Sequence, residues 1–314
     1  MFKSIFIFGM YIFLILVFIP CGTVYFINSN NIKNKEEQVI EVINNLELTE
    51  NTQNVTNNVF EDYIVGVVGA EMPISFEVEA LKAQAIAART YAYKRVHDIT
   101  KPVEHKSIGQ AYNSVEELKS KCGDNFDEYY TKLKNAVYET AGIIMTYENE
   151  PIEAVFHSTS AGITEVSENI WGKNLPYIKS VDSKVDENAP NFIYTVDIPN
   201  SQIIDTLFKK YPNLDKNNII KSFDILSRSE AGYVLNVTVC GKTISARDIR
   251  TMFNLRSTNF TIEKTKDSIK FTTKGYGHGA GMSQYGANFM AQDGSDYIEI
   301  LNHYYSGVTL QKVY

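Results

Sequence analysis

From Ile5 to Ile27 the chain runs 23 residues without a charge. As a helix rising about 1.5 Å per residue, such a segment crosses a hydrocarbon core of roughly 30 Å. A cleavable secretory leader has an apolar stretch of only about 7–15 residues followed by a small-x-small cleavage site. This run is longer and has no such site, and Phe18-Ile19-Pro20 ahead of Cys21 is no lipobox. Residues 1–27 are therefore expected to form an uncleaved, single-pass membrane anchor. Lys3 and the amino terminus precede it, which favours an inside N-terminus and an extracytoplasmic body, although Lys33 and Lys35 weaken the asymmetry.

Residues 28–58 are rich in Asn and Glu, with only a modest apolar repeat at Val39-Ile40 and Val42-Ile43, and read as a polar tether. From Val59 to Tyr314 the hydrophobic patterning is continuous, without a linker or an internal repeat, so 59–314 is expected to be a single domain. A chain with 44% apolar and 21% charged residues is globular rather than disordered or collagen-like. Its net charge of -7 argues against a nucleic-acid partner. Only Cys122 and Cys240 fall in the body, and both are expected to be free.

The clearest helix follows Ser75 as a candidate cap, carries Glu77 and Glu79 in its first turn, and aligns Val78, Leu81, Ala85, Ala88 and Ala92. Lys82 and Arg89, seven residues apart, share another stripe of it. A second helix is expected over 127–140, ending before Gly142, then a hairpin of 143–147 and 152–157. Strands near 193–198, 223–226, 233–239, 260–263 and 269–273 alternate irregularly with helices near 201–210, 246–253, 283–292 and 297–304. The fold class is α+β, with interspersed helices and antiparallel strands.

Three segments carry chemistry. Glu71 is a lone carboxylate among Val67-Val68-Gly69-Ala70 and Met72-Pro73; such surroundings desolvate an acid and let it hold its proton near neutrality. A helix-terminal Glu with an ordinary surface role is the alternative. His157-Ser158-Thr159-Ser160-Ala161-Gly162 follows a strand and offers an imidazole and three hydroxyls for a polar substrate, or a buried structural histidine. No Gly-x-Ser-x-Gly elbow supports a serine nucleophile. Gly275-Tyr276-Gly277-His278-Gly279-Ala280-Gly281-Met282-Ser283-Gln284-Tyr285-Gly286 lets the backbone approach a ligand while His278, Ser283, Gln284 and Tyr285 face it, or is a structural turn. Its Gly-x-Gly-x-x-Ala match leaves too little chain for a dinucleotide-binding unit. The five histidines show no His-Glu-x-x-His and the body cysteines no Cys-x-x-Cys, so no metal site is expected.

At these segments the sequence resembles the stage II sporulation protein D (SpoIID) family, the amidase-enhancer type of domain. The likeness runs through residues 62–73, 79–91, Gln110-Ala111-Tyr112, 157–162, Ile170-Trp171-Gly172, Pro176-Tyr177, 245–250, 277–287 and His303-Tyr304-Tyr305, in order, and covers about residues 59–314. It implies a lytic transglycosylase that cuts peptidoglycan glycan strands between N-acetylmuramic acid and N-acetylglucosamine, forms 1,6-anhydro ends and prefers strands stripped of stem peptides. Glu71 matches the catalytic acid. Arg89, Gln110, Tyr112, His157, Ser158, Ser160, His278, Ser283, Gln284 and Tyr285 match motif positions expected to line the groove. Ala161 stands where the family usually has Gly, and the cysteines of a zinc cluster found in some relatives are missing, so no cofactor and no zinc are expected. The resemblance further implies a place in the mother-cell membrane during engulfment, beside a peptidoglycan amidase and membrane partners of the SpoIIP and SpoIIM type. The rival reading is a non-catalytic glycan-binding module that activates such an amidase.

Overall fold

A computed structural model describes residues 59–96 and 98–314; the expected anchor (1–27) and tether (28–58) lie outside the described residues. None of the described helices is long and apolar enough to cross a membrane. The described chain is α+β.

A helical layer comes first: α1 (59–71), α2 (Val78–Tyr93), α3 (His105–Ile108), α4 (Val115–Cys122) and α5 (Phe126–Glu139). No helix was expected at α1, because Phe60, Tyr63, Ile64, Val65, Val67 and Val68 are all buried and give no 3.6-residue period. Helix α2 is enclosed on both sides. Leu81, Ala85, Ala88 and Ala92 pack into one core with α1 and α5, while Ala80, Ala83, Ile86 and Ala87 join a second core with the C-terminal helices. The run of alanines permits this close approach on two faces. Val78, expected on the apolar line, is exposed. Ser75 does not cap α2; Glu77 holds the cap position without a side-chain bond, and its N–H donates to Asn288 Oδ1 at 2.8 Å.

Strand β1 (Ile143–Tyr147) turns at Glu148 and Asn149, both at positive φ, into β2 (Glu150–Pro151). The expected second hairpin strand stops there. Residues 152–155 are irregular, and β3 (Phe156–His157) pairs elsewhere. Helix α6 (Ser167–Trp171) and a 3-10 turn at Lys184–Asn188 lead into a lobe with its own core. That lobe contains β4 (Ile193–Pro199), α7 (Asn200–Lys210), α8 (Ile219–Ser222), β5 (Asp224–Arg228), β6 (Val234–Val239), β7 (Lys242–Ser245), α9 (Ala246–Met252), β8 (Phe260–Lys264) and β9 (Ser268–Lys274). Two antiparallel sheets, ordered β4-β9-β8 and β5-β6-β7, close on Phe271, which lies 5.7 Å from Phe260 and 5.9 Å from both Phe223 and Phe253, ring centre to ring centre.

The chain then returns through β10 (Met282–Ser283), α10 (Gln284–Gln292) and α11 (Tyr297–Tyr304), and β11 (Thr309–Lys312) pairs antiparallel with β1. Strand β10 runs parallel to β3, with Met282 opposite Phe156 and Ser283 opposite His157, so the strands are not all antiparallel as expected. This pairing brings the histidine–serine loop and the glycine loop together beside α1.

Candidate active site

Glu71 is the last residue of α1. Its Oε1 accepts the Ala111 N–H at 3.1 Å, and Oε2 has no hydrogen-bond partner among the described residues. Burial in the groove wall raises its carboxyl above the usual carboxylate range, while the Ala111 N–H pulls less strongly the other way. The unpaired carbonyls and negative dipole end at a helix C-terminus also disfavour an ionised acid there. Glu71 thus ends a helix that was not expected, and its carboxyl is desolvated there rather than having an ordinary surface role. The Glu71 carbonyl accepts from Gln284 Nε2 at 3.0 Å, and the same amide donates to Gln84 Oε1 at 3.3 Å, so α10 holds α1 and α2 at the site.

The two loops meet without room for side chains at their contact points. Gly277 has φ 121°, and a Cβ on it would lie 2.7 Å from the His157 Cβ; at Gly281, φ 70°, it would fall on the Val155 carbonyl. His157 is buried, with Nδ1 3.0 Å from the Ala280 carbonyl, which fixes the proton on Nδ1. Its Nε2 is buried without a partner. Burial first, and then neighbouring His278, lowers its pKa to about 3. His278 accepts the Ala280 N–H on Nδ1 at 3.1 Å and is lowered to about 4, by burial and then by the charge of Arg250. Both imidazoles are neutral at pH 7. Trp171 sets its edge against His278, 5.2 Å between centres.

Two concavities meet at Glu71. One, of about 680 Å³, is lined by Glu71, His157, Ser158, Gln284 and Tyr285, with Lys121, Arg256 and Tyr276 on its walls. The other, of about 230 Å³, is lined by Glu71, Gln110, Phe156 and His278. Among the described residues Glu71 is the sole acid bordering either. The cationic and aromatic walls at Lys121, Arg256 and Tyr276 were not anticipated, since isolated side chains on α4, a lobe loop and a glycine loop share no motif. Gln110 also accepts from Tyr63 OH at 3.0 Å and donates to Ala88 O at 3.2 Å, which fixes the strip that ends in the Ala111 N–H.

Four residues expected in the groove are placed elsewhere. Arg89 is fully buried in a forked ion pair with Glu61, Nη2 to Oε2 at 2.7 Å and Nε to Oε1 at 2.9 Å. It also donates to the Val137 and Ile143 carbonyls. Tyr112 borders neither concavity, being stacked between Tyr63 (5.7 Å) and His105 (5.1 Å). Ser160 and Ser283 are buried around Asp186, a residue absent from the expected set. Asp186 accepts the Ser160 N–H at 2.8 Å, Ser283 Oγ at 2.9 Å and Ser183 Oγ at 3.1 Å. Ser283 also caps α10, accepting the Gly286 N–H. Burial raises the Asp186 carboxyl, and the hydrogen bonds from Ser160, Ser283 and Ser183 partly oppose that rise. These serines tie the two loops together from behind. Among the described residues no three His, Cys, Asp or Glu side chains converge as a ligand cluster, and Cys122 and Cys240 are unpaired.

Residues 49–147 match the family model "Stage II sporulation protein" (SpoIID), and residues 173–281 match a "Domain of unknown function (DUF8618)". Stage II sporulation protein D of Bacillus subtilis (strain 168) is 39% identical over 267 residues, covering 83% of this chain and 76% of that protein. Its counterpart from Bacillus amyloliquefaciens is 39% identical over 265 residues, covering 82% and 76%. The amidase enhancer of Bacillus subtilis (strain 168) is 28% identical over 298 residues, covering 78% of this chain and 40% of that protein.

Proposed function

The chain belongs to the stage II sporulation protein D family, and on that premise we propose that it is a peptidoglycan lytic transglycosylase that works with Glu71 as its one acid–base group. The observation that carries this reading is that, among the described residues, no second carboxylate borders either concavity meeting at Glu71. A two-carboxylate glycoside hydrolase needs a partner acid about 5–9.5 Å from the first. The neighbouring imidazoles, held neutral, supply no substitute charge.

With Oε1 occupied by the Ala111 N–H, the proton of Glu71 belongs on Oε2. It passes to the glycosidic oxygen as the bond to the muramic acid C1 breaks. The resulting Glu71 carboxylate then takes the proton of the C6 hydroxyl of that sugar, whose oxygen closes on C1. The product is a 1,6-anhydro end, and no water enters. Tyr285 and Tyr276 line the larger side of the groove, and aromatic rings there suit contact with sugar rings. The residues before 59 anchor this domain in the membrane with the groove outside, where stem peptides are removed by an amidase and SpoIIP- and SpoIIM-type proteins are its partners.

The amidase enhancer relative favours a second reading, in which the groove grips glycan and activates an amidase without cutting it. Glu71→Gln separates the two. As a transglycosylase the variant binds stripped strands but releases about 10²- to 10⁴-fold fewer fragments per unit time. Unchanged fragment release would remove Glu71 as the acid, and release absent in wild type while amidase activity is still stimulated would favour the activator.

A further inference from the structure

Beyond His278 lies a third concavity, of about 160 Å³, which Glu71 does not touch. Its wall carries Glu165, Arg247, Arg250, Tyr233 and His278. It is smaller than the roughly 300–1,000 Å³ of a site that takes a whole small ligand. Because His278 also borders the concavity containing Glu71, the space suits a substituent projecting from a polymer laid along the groove.

Its chemistry is polar and of two signs. Arg250 is half-buried and spends Nε on the Leu255 carbonyl at 3.2 Å, while Arg247 spends Nη1 on the Ile170 carbonyl at 3.0 Å. Among the described residues no carboxylate forms a salt bridge with either arginine. Glu165 is 1% exposed; its Oε1 accepts from Val166 N and Asn169 Nδ2, whereas Oε2 is buried with no partner. A buried acceptor left unpaired costs roughly 1–3 kcal/mol. Guanidiniums whose remaining N–H groups are open, set near a carboxylate oxygen that lacks a donor, fit an anionic carboxylate carried next to an N–H or O–H group.

We propose that this cavity binds the free lactyl carboxylate of a muramic acid residue, with Arg250 and Arg247 on the carboxylate and Glu165 accepting from a neighbouring sugar N–H or hydroxyl. The assignment rests on the peptidoglycan reading above. With a stem peptide attached, the lactyl group is a neutral amide that continues into a chain. Once the peptide is removed, the same group is a compact anion. The cavity therefore distinguishes stripped from substituted strands by charge as well as by size.

The test is binding of a glycan tetrasaccharide with free lactyl carboxylates, compared with the same tetrasaccharide converted to primary carboxamides, by isothermal titration. The titrand is the full chain carrying Glu71→Gln, so that nothing is cut. The carboxylate form is expected to bind roughly 10- to 100-fold more tightly, the range of a hydrogen bond to a charged group. Arg250→Gln or Arg247→Gln, each checked for an unchanged melting temperature, is expected to shrink that ratio by weakening the carboxylate form alone. Equal affinity for the two forms in the otherwise unchanged chain, no binding of either, or a ratio untouched by both arginine variants would overturn the proposal. The comparison between the two tetrasaccharides needs no variant in the cavity, so it holds even if an arginine variant fails to fold. Failure of the lytic reading would look different: strands left uncut by wild type, with the carboxylate preference intact.

Discussion

Replacing Arg89 should unfold the domain rather than empty its groove. In Arg89→Met the Glu61 carboxylate keeps only the Gly142 N–H (3.1 Å) and the Tyr314 hydroxyl, and the Val137 and Ile143 carbonyls lose their guanidinium donors. Removing one partner of a buried ion pair costs about 3–5 kcal/mol. For a domain of this size that corresponds to a fall in melting temperature of roughly 6–20 °C. The pairing loss should be partly reversible: Glu61→Gln added to Arg89→Met removes the stranded charge while keeping an acceptor for Gly142 and Tyr314. It should recover about 2 kcal/mol or more. Equilibrium urea unfolding of the full chain and its two variants measures both steps, and glycan affinity of the folded variant at low temperature should match wild type. An Arg89→Met protein as stable as wild type within about 1 kcal/mol, but unable to bind glycan, would refute the structural role and return Arg89 to the groove.

Further outcomes follow from the same geometry. Because the active form of Glu71 is protonated and its pKa is raised by burial, kcat/KM should be highest on the acid side and fall as pH rises through a value above the usual carboxylate range, which a pH–rate profile on stripped strands checks. For the same reason Glu71→Gln should melt no lower than wild type at pH 7, since the amide removes an ionisation that burial disfavours. His157 is neutral when folded down to about pH 3 but protonates near pH 6.5 when unfolded. Stability is thus lost as pH falls below about 6.5, at up to about 1.4 kcal/mol per pH unit, and a His157→Gln variant should show a shallower acid slope in thermal melts. Asp186→Asn, which cannot accept from Ser160, Ser183 and Ser283 as a carboxylate does, should lower kcat without abolishing folding, measured as fragment release beside a melting curve.

What could be read ahead of the structure was whatever is written locally. The lone Glu71 among apolar residues, the His157 loop and the glycine-rich segment each announce themselves within a dozen residues, and all three border the groove. The lobe strands were legible for the same reason: their alternation and their turns lie close together in sequence. Helix α1 was not, since burial on nearly every face erases the period on which recognition depends. The pairing of β3 with β10 joins two-residue strands some 125 positions apart, and no local pattern encodes it. Asp186 was missed because its partners are serines from three separate segments. Arg89, Ser160 and Ser283 match motif positions expected to line the groove, and only their placement behind the loops and within the helical layer distinguishes scaffold from contact surface.

The most direct measurement of single-acid chemistry is mass spectrometry of the fragments that the full chain releases from purified glycan strands stripped of stem peptides, with Glu71→Gln as control. Fragments ending in 1,6-anhydro-muramic acid, lighter by one water than their hydrolytic counterparts and lost in the Glu71→Gln digest, are expected, because the C6 hydroxyl sits within reach of C1 and outcompetes solvent by proximity. Predominantly reducing muramic acid ends would contradict the assignment of Glu71 as sole acid and base, and would require a second carboxylate, which none of the described residues places beside it.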